Sequence, residues 1–101
     1  MRIITGSRRG KKLKTLEGMA VRPTSDHIKE SLFNILQFDI EGRTFLDLFA
    51  GSGQIGLEAL SRGAERAVFV DSAKASCSVV EDNIRTTDFT LQATVVHSDF
   101  N

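Results

Sequence analysis

The chain has 101 residues, 41% hydrophobic and 26% charged, with one proline, one cysteine and no tryptophan or tyrosine. That composition excludes disordered, collagen-like and disulfide-scaffold classes, and the length suits one domain that buries roughly 65% of its unfolded surface. The net charge is zero, yet residues 1–22 hold seven bases (Arg2, Arg8, Arg9, Lys11, Lys12, Lys14, Arg22) against the single acid Glu17, so a basic opening of +6 is joined to an acidic body of −6.

Around Gly6 and Gly10, residues 2–5 and 12–15 alternate loosely between apolar and polar or basic side chains, which predicts a short hairpin. Its charge suits a nucleic-acid partner, and a solvated basic tail accounts for it equally well. Arg22-Pro23-Thr24-Ser25-Asp26 reads as a helix start: proline holds Arg22 extended, Thr24 or Ser25 can cap, and Asp26 sits at the positive end of the dipole. Ile28, Leu32, Ile35 and Leu36 then recur at helical spacing, predicting a helix with that apolar face, ending near Phe38 and before Gly42. From Thr44 the rhythm becomes short apolar runs separated by helical stretches. The runs 45–49, 67–70 and 91–97 predict buried parallel strands, the last two closed by Asp71 and Asp99. Between them lie a helix ending at Gly63 and a helix capped by Ser72 with the face Ala73, Cys77, Val80 and Ile84. This strand–helix alternation predicts an α/β fold with a parallel sheet.

Leu46-Asp47-Leu48-Phe49-Ala50-Gly51-Ser52-Gly53-Gln54-Ile55-Gly56 holds a GxGxxG pattern between strand and helix, with Asp71 at the end of the next strand. Gly51 permits a tight turn, Gly53 lets a ligand approach the backbone, and Gly56 lets the helix pack closely on the sheet. An acid about 20 residues after the first glycine can accept ribose hydroxyls. Asp47 bears on the choice of cofactor, because a carboxylate beside the turn repels a pyrophosphate and attracts the ammonium and sulfonium of S-adenosylmethionine. Asp47 as a plain cap of a neighbouring loop is the competing reading. Asp99 at the same sheet edge could accept from an adenine amino group with Phe100 over the ring, or be a solvated turn residue.

The chain resembles the class I methyltransferases and, within them, the bacterial enzymes that methylate the exocyclic N2 of a guanine in small-subunit ribosomal RNA. The residues that carry the likeness are Ile3-Ile4-Thr5-Gly6-Ser7-Arg8-Arg9-Gly10-Lys11-Lys12-Leu13 through Arg22-Pro23-Thr24-Ser25-Asp26 and Glu30 to Leu36, then Leu46 to Gly63 and Val68 to Asp71. The resemblance implies that Asp47, Gly51 and Gly53 line the methionine end of S-adenosylmethionine, Asp71 binds its ribose, and Asp99 and Phe100 face its adenine. It also implies that Arg8, Arg9, Lys11, Lys12 and Arg22 touch small-subunit RNA or its ribosomal particle. The expected division is a basic RNA-contacting segment over 1–22 and the amino-terminal half of a partial Rossmann-like methyltransferase domain over 23–101. That family carries an Asn/Asp-Pro-Pro-aromatic motif on a fourth strand to hold the target amine, whereas the only proline here is Pro23. A shortened chain with little or no methyl transfer of its own is therefore expected, with exposed strand edges that favour self-association. No catalytic residue is assigned.

An NAD-binding oxidoreductase fragment and a non-enzymatic RNA-binding module are the alternatives. Cys77 reads as core, and His27 and His97 lack partners at metal-ligand spacing, so no metal is expected. Phe33, Phe38, Phe45, Phe49 and Phe69 read as core, with Phe89 and Phe100 left as possible stacking surfaces. A lone cysteine fits a reducing compartment. The opening turns polar by Thr5, short of the ~7–15 apolar residues of a signal peptide or the ~20 of a membrane span, so a cytoplasmic protein is expected.

Overall fold

The computed structural model describes residues 2–15, 26–48 and 50–98. In chain order the elements are α1 (Asp26–Leu36), β1 (Thr44–Leu48), α2 (Gln54–Ser61), β2 (Arg66–Asp71), α3 (Lys74–Thr86) and β3 (Ala93–His97). The strands form one parallel sheet in the order β1-β2-β3, with Leu48 opposite Val70 and Asp71 opposite His97, so the ends of all three strands meet at one edge. The expected fold class is what forms. None of the helices among the described residues is long and apolar enough to cross a membrane.

The core lies between the sheet and its helices. Phe69 and Ala67 from β2 meet Leu57, Ala59 and Leu60 of α2 and Val80 and Ile84 of α3, all buried. Gly56 is needed where α2 crosses β2: a Cβ there would stand 2.3 Å from the buried Phe69 ring. Cys77 is part of the buried face of α3, as its spacing predicts, and burial together with the charge of Asp71 pushes its thiol pKa up.

Several expectations are corrected. In α1 Lys29 and Phe33 are fully buried and Leu36, one of the expected face, packs partly buried against the core, while Ile28 and Ile35 are 59% and 78% exposed. The buried face is thus rotated by one residue, about 100°, from the apolar face of the sequence. The cause is a buried carboxylate, Glu58, which draws Lys29 in to 3.3 Å, and the Arg62 guanidinium, which lies 4.8 Å from the centre of the Phe33 ring. The helix ends at Leu36, and Phe38, expected in the core, is 90% exposed beyond it. Phe89, a candidate stacking surface, is buried beneath Arg8. Ser72 is not the cap of α3: Ala73 occupies that position and its amide donates to Asp71 Oδ1 at 2.9 Å. The hairpin expected near the amino terminus forms in shortened form: Arg2 bridges antiparallel to Lys12, the Ile3 amide donates to Lys11 O at 2.9 Å and the Gly10 amide to Ile3 O at 2.8 Å, in place of two four-residue strands. The cap expected at Thr24 or Ser25, and Phe49, lie outside the described residues.

Candidate functional site: a glycine turn between two carboxylates

The chain leaves β1 and reverses through a turn in which Gly51 and Gly53 take φ +59° and +84°, a left-handed backbone that suits glycine. The Gly53 amide donates to Ala50 O at 2.8 Å and α2 begins immediately afterwards. Gly51 has open space where a Cβ would stand, whereas at Gly53 a Cβ would face Val80 and Phe69 at 3.3 to 3.4 Å. The second glycine therefore serves the turn and the core, and the clearance expected there for a ligand exists at Gly51.

Two of the acids expected at the site, Asp47 and Asp71, are fastened to this turn and to the helix it opens. Asp47 Oδ2 accepts from the Gly56 amide at 3.0 Å, so it caps α2 at its third residue. Asp71 Oδ2 accepts from the Gly51 amide at 2.9 Å. The capping role weighed for Asp47 is thus real, and it sets the carboxylate against the same short loop that Asp71 reaches from β2. Asp47 is buried, and burial pushes its pKa up to about 6; the Asp71 charge adds to the rise and the Gly56 amide opposes it. Among the described residues no ion pair joins either acid to a cation. Gln54, the first residue of α2, is also buried, and its Oε1 has no hydrogen-bond partner among the described residues. Sequence reading passed over Gln54 because a single amide inside a glycine motif carries no pattern.

The surroundings are thus rich in acceptors: two carboxylates and an orphaned carbonyl oxygen on amides that α2 and the turn have oriented. A pyrophosphate would meet like charge here, whereas a group with an ammonium and a hydroxyl pair would meet complementary partners. The residues present fit the methyl donor on that chemistry. His97, at the end of β3, ties the same edge together through a 2.9 Å contact from Nε2 to Ser72 O. Asp99 and Phe100, expected at the adenine end, lie outside the described residues.

The basic segment 2–15 is docked on the α/β layer, with Ile3 and Leu13 inside its core. Glu58 accepts from the Ile4 and Thr5 amides at 2.8 and 3.0 Å and from Arg62 Nε at 2.8 Å. Lys29 completes this buried hub and also donates to Arg2 O at 2.8 Å. Further on, Arg8 Nε donates to Thr87 O at 2.6 Å and its guanidinium covers the Phe89 ring at 4.7 Å. Arg8 is therefore half-buried, while Arg9, Lys11 and Lys12 are exposed on the same segment. Arg22 lies outside the described residues. A separate cavity of about 790 Å³, lined by Thr5, Glu30, Asn34, Gln37 and Arg62 among others, includes no residue of the glycine turn.

A three-stranded parallel sheet with crossover helices, a glycine turn after its first strand and acids at the strand ends define a Rossmann-like domain of the methyltransferase type. The chain matches the family model described as conserved hypothetical protein 95 over residues 1–101, and it belongs to that family. It is 46% identical over 99 residues to YlbH of Bacillus subtilis, whose name assigns it provisionally to the rRNA methyltransferases; the match covers 98% of this chain and 54% of that protein. It is 44% identical over 86 residues to the ribosomal RNA small subunit methyltransferase D of Haemophilus influenzae, covering 85% of this chain and 45% of the relative. Among solved structures, the Escherichia coli protein yhhF, described as a candidate methyltransferase, superposes with a TM-score of 0.85 at 39% identity, over 98% of this chain and 52% of that one. The chain thus spans about half the length of the relatives it matches.

Proposed function

We propose that this chain forms the methyl-donor half of an S-adenosylmethionine-dependent rRNA methyltransferase that acts on the exocyclic N2 of a guanine in small-subunit RNA. The observation that carries the reading is that Asp71 holds the Gly51 amide of the glycine turn while Asp47 holds the Gly56 amide in the first turn of the helix it opens, with no cation paired to either among the described residues. When bound, the donor supplies an electrophilic methyl group on a sulfonium. Asp47 and Gln54 offer acceptors to its ammonium end, Asp71 offers its free lone pairs to the ribose hydroxyls, and Gly51 gives room for the nucleoside against the backbone. Arg9, Lys11 and Lys12, with Arg22, supply the phosphate contacts, and Arg8 holds their segment on α3. The reading is supported by the family and by relatives named as rRNA methyltransferases. The guanine specificity rests on the likeness of the opening block, and the transfer itself belongs to a protein of the relatives' full length.

Calorimetry on the 101-residue chain tests the donor assignment. Heat with S-adenosylhomocysteine and none with NAD is expected; the reverse would establish the oxidoreductase alternative. RNA affinity is expected to fall steeply as salt rises, and replacing Arg9, Lys11 and Lys12 by alanine should flatten the slope of log K against log salt by about 0.7–0.9 for each phosphate no longer neutralised. RNA binding without response to either nucleoside would leave an RNA-binding module only.

A further inference from the structure

Asn83, on α3, is fully buried and uses both ends of its amide on two segments far apart in sequence. Its Oδ1 accepts from the Lys14 amide at 2.7 Å, and its Nδ2 donates both to Lys14 O at 3.0 Å and to Ser52 O at 2.8 Å. Lys14 belongs to the basic segment and Ser52 is the middle residue of the glycine turn. A single side chain therefore holds the backbone of the two candidate binding elements in one hydrogen-bonded cluster. The Lys14 side chain adds only an exposed pair to Asp82 at 3.3 Å, which solvent weakens. The buried amide, with both N–H donors and its oxygen engaged, is the rigid part of the link.

We propose that Asn83 is a positioning residue that couples the two sites: RNA bound along residues 9–14 fixes Lys14, Lys14 fixes the Asn83 amide, and the amide fixes the Ser52 carbonyl and with it the turn that receives the methyl donor. By linkage the coupling is reciprocal, so donor binding tightens RNA binding by the same factor. The inference rests on the donor and RNA assignments made above. It adds that the basic segment sets the donor site's affinity as well as gripping the substrate.

The test measures S-adenosylhomocysteine affinity of the 101-residue chain with and without a saturating short RNA hairpin of unrelated sequence. Wild-type chain is expected to bind the nucleoside about fivefold or more tightly when RNA is present, the lower end of typical coupling between sites. Asn83→Asp keeps the acceptor for the Lys14 amide and loses both donated bonds, so its coupling factor should fall to about one while each ligand still binds alone. Asp82→Ala removes the exposed pair and should leave the factor intact. Amide hydrogen exchange supplies a readout that needs no variant: the Lys14 N–H of wild-type chain should exchange more slowly once S-adenosylhomocysteine is bound. Equal nucleoside affinity with and without RNA, full coupling in Asn83→Asp, or unchanged Lys14 exchange would each overturn the coupling while leaving the proposed function standing. A wild-type chain that binds neither ligand would overturn both.

Discussion

Asp47 holds its position at an energetic cost that can be measured. Its carboxyl is raised from 3.8 to about 6, so the folded chain binds this proton more tightly than the unfolded chain does. The sign follows directly: the ionised form opposes folding, and stability falls as pH rises from about 4 through 6, by on the order of 3 kcal/mol at most. Asp47→Asn keeps an oxygen for the Gly56 amide and removes the charge. It should be more stable than wild type above pH 7, by about 2–3 kcal/mol, and equal to it near pH 4, as urea unfolding at the two pH values would report. Wild type is expected to bind S-adenosylhomocysteine more tightly as pH rises from 5 to 7, where Asp47 ionises, and the same substitution should weaken binding at pH 7.5 and abolish that gain. This behaviour was half visible in the sequence. A carboxylate inside an apolar strand beside a glycine turn announces an unusual acid, but the sequence left cap and ligand group as alternatives; the Gly56 hydrogen bond shows the cap, and the ligand role is the one proposed above. The orphaned oxygen of Gln54 had no such signal, since burial of one amide depends on how α2 seats against the sheet.

Elements of regular period were legible, and elements held by charge were not. The strands and the α2 and α3 helices follow from apolar runs and helical spacing because packing on a sheet favours just those patterns. The α1 face departs from its sequence pattern for the opposite reason: Lys29 is drawn inward by Glu58, an acid of another helix, and no local rule links residues 29 and 58. The same hub fastens the opening segment, where the expected tail or hairpin is a shortened hairpin docked on the core. Its energetics give a prediction at this scale. Glu58→Ala would leave Lys29 buried without its counter-charge and two backbone amides without their acceptor, so a destabilisation of about 3–5 kcal/mol is expected. The accompanying sign is rapid hydrogen exchange at Ile4 and Thr5. Unchanged thermal stability in that variant would mean that the segment is held by Ile3 and Leu13 packing instead.

At the scale of the whole molecule the sheet is covered unequally. Phe45, Phe69 and Val95 point to the side of the helices and join the core, whereas the alternate positions of β1, Leu46 and Leu48, are 58% and 49% exposed, and Val96 of β3 is exposed as well. Since side chains alternate along a strand, these three belong to the opposite face of the sheet. With Ile28 and Ile35, exposed on the outer side of α1, they are large apolar side chains open to solvent. Among the described residues β1 is an edge strand, which adds backbone groups to that surface. The relatives contain about as much chain again, and such chain would have an apolar face and a strand edge to pack against. On its own, the 101-residue chain is expected to associate with itself as concentration rises, and sedimentation velocity across a concentration series should show the weight-average mass climbing above that of a monomer. Leu46→Lys with Leu48→Lys puts charge on the bare face and touches nothing in the core. The double variant should therefore sediment as a monomer over the same range with its unfolding midpoint little changed. A wild-type chain that stays monomeric at high concentration would show that the exposed leucines are too few, or too shielded by their neighbours, to drive association.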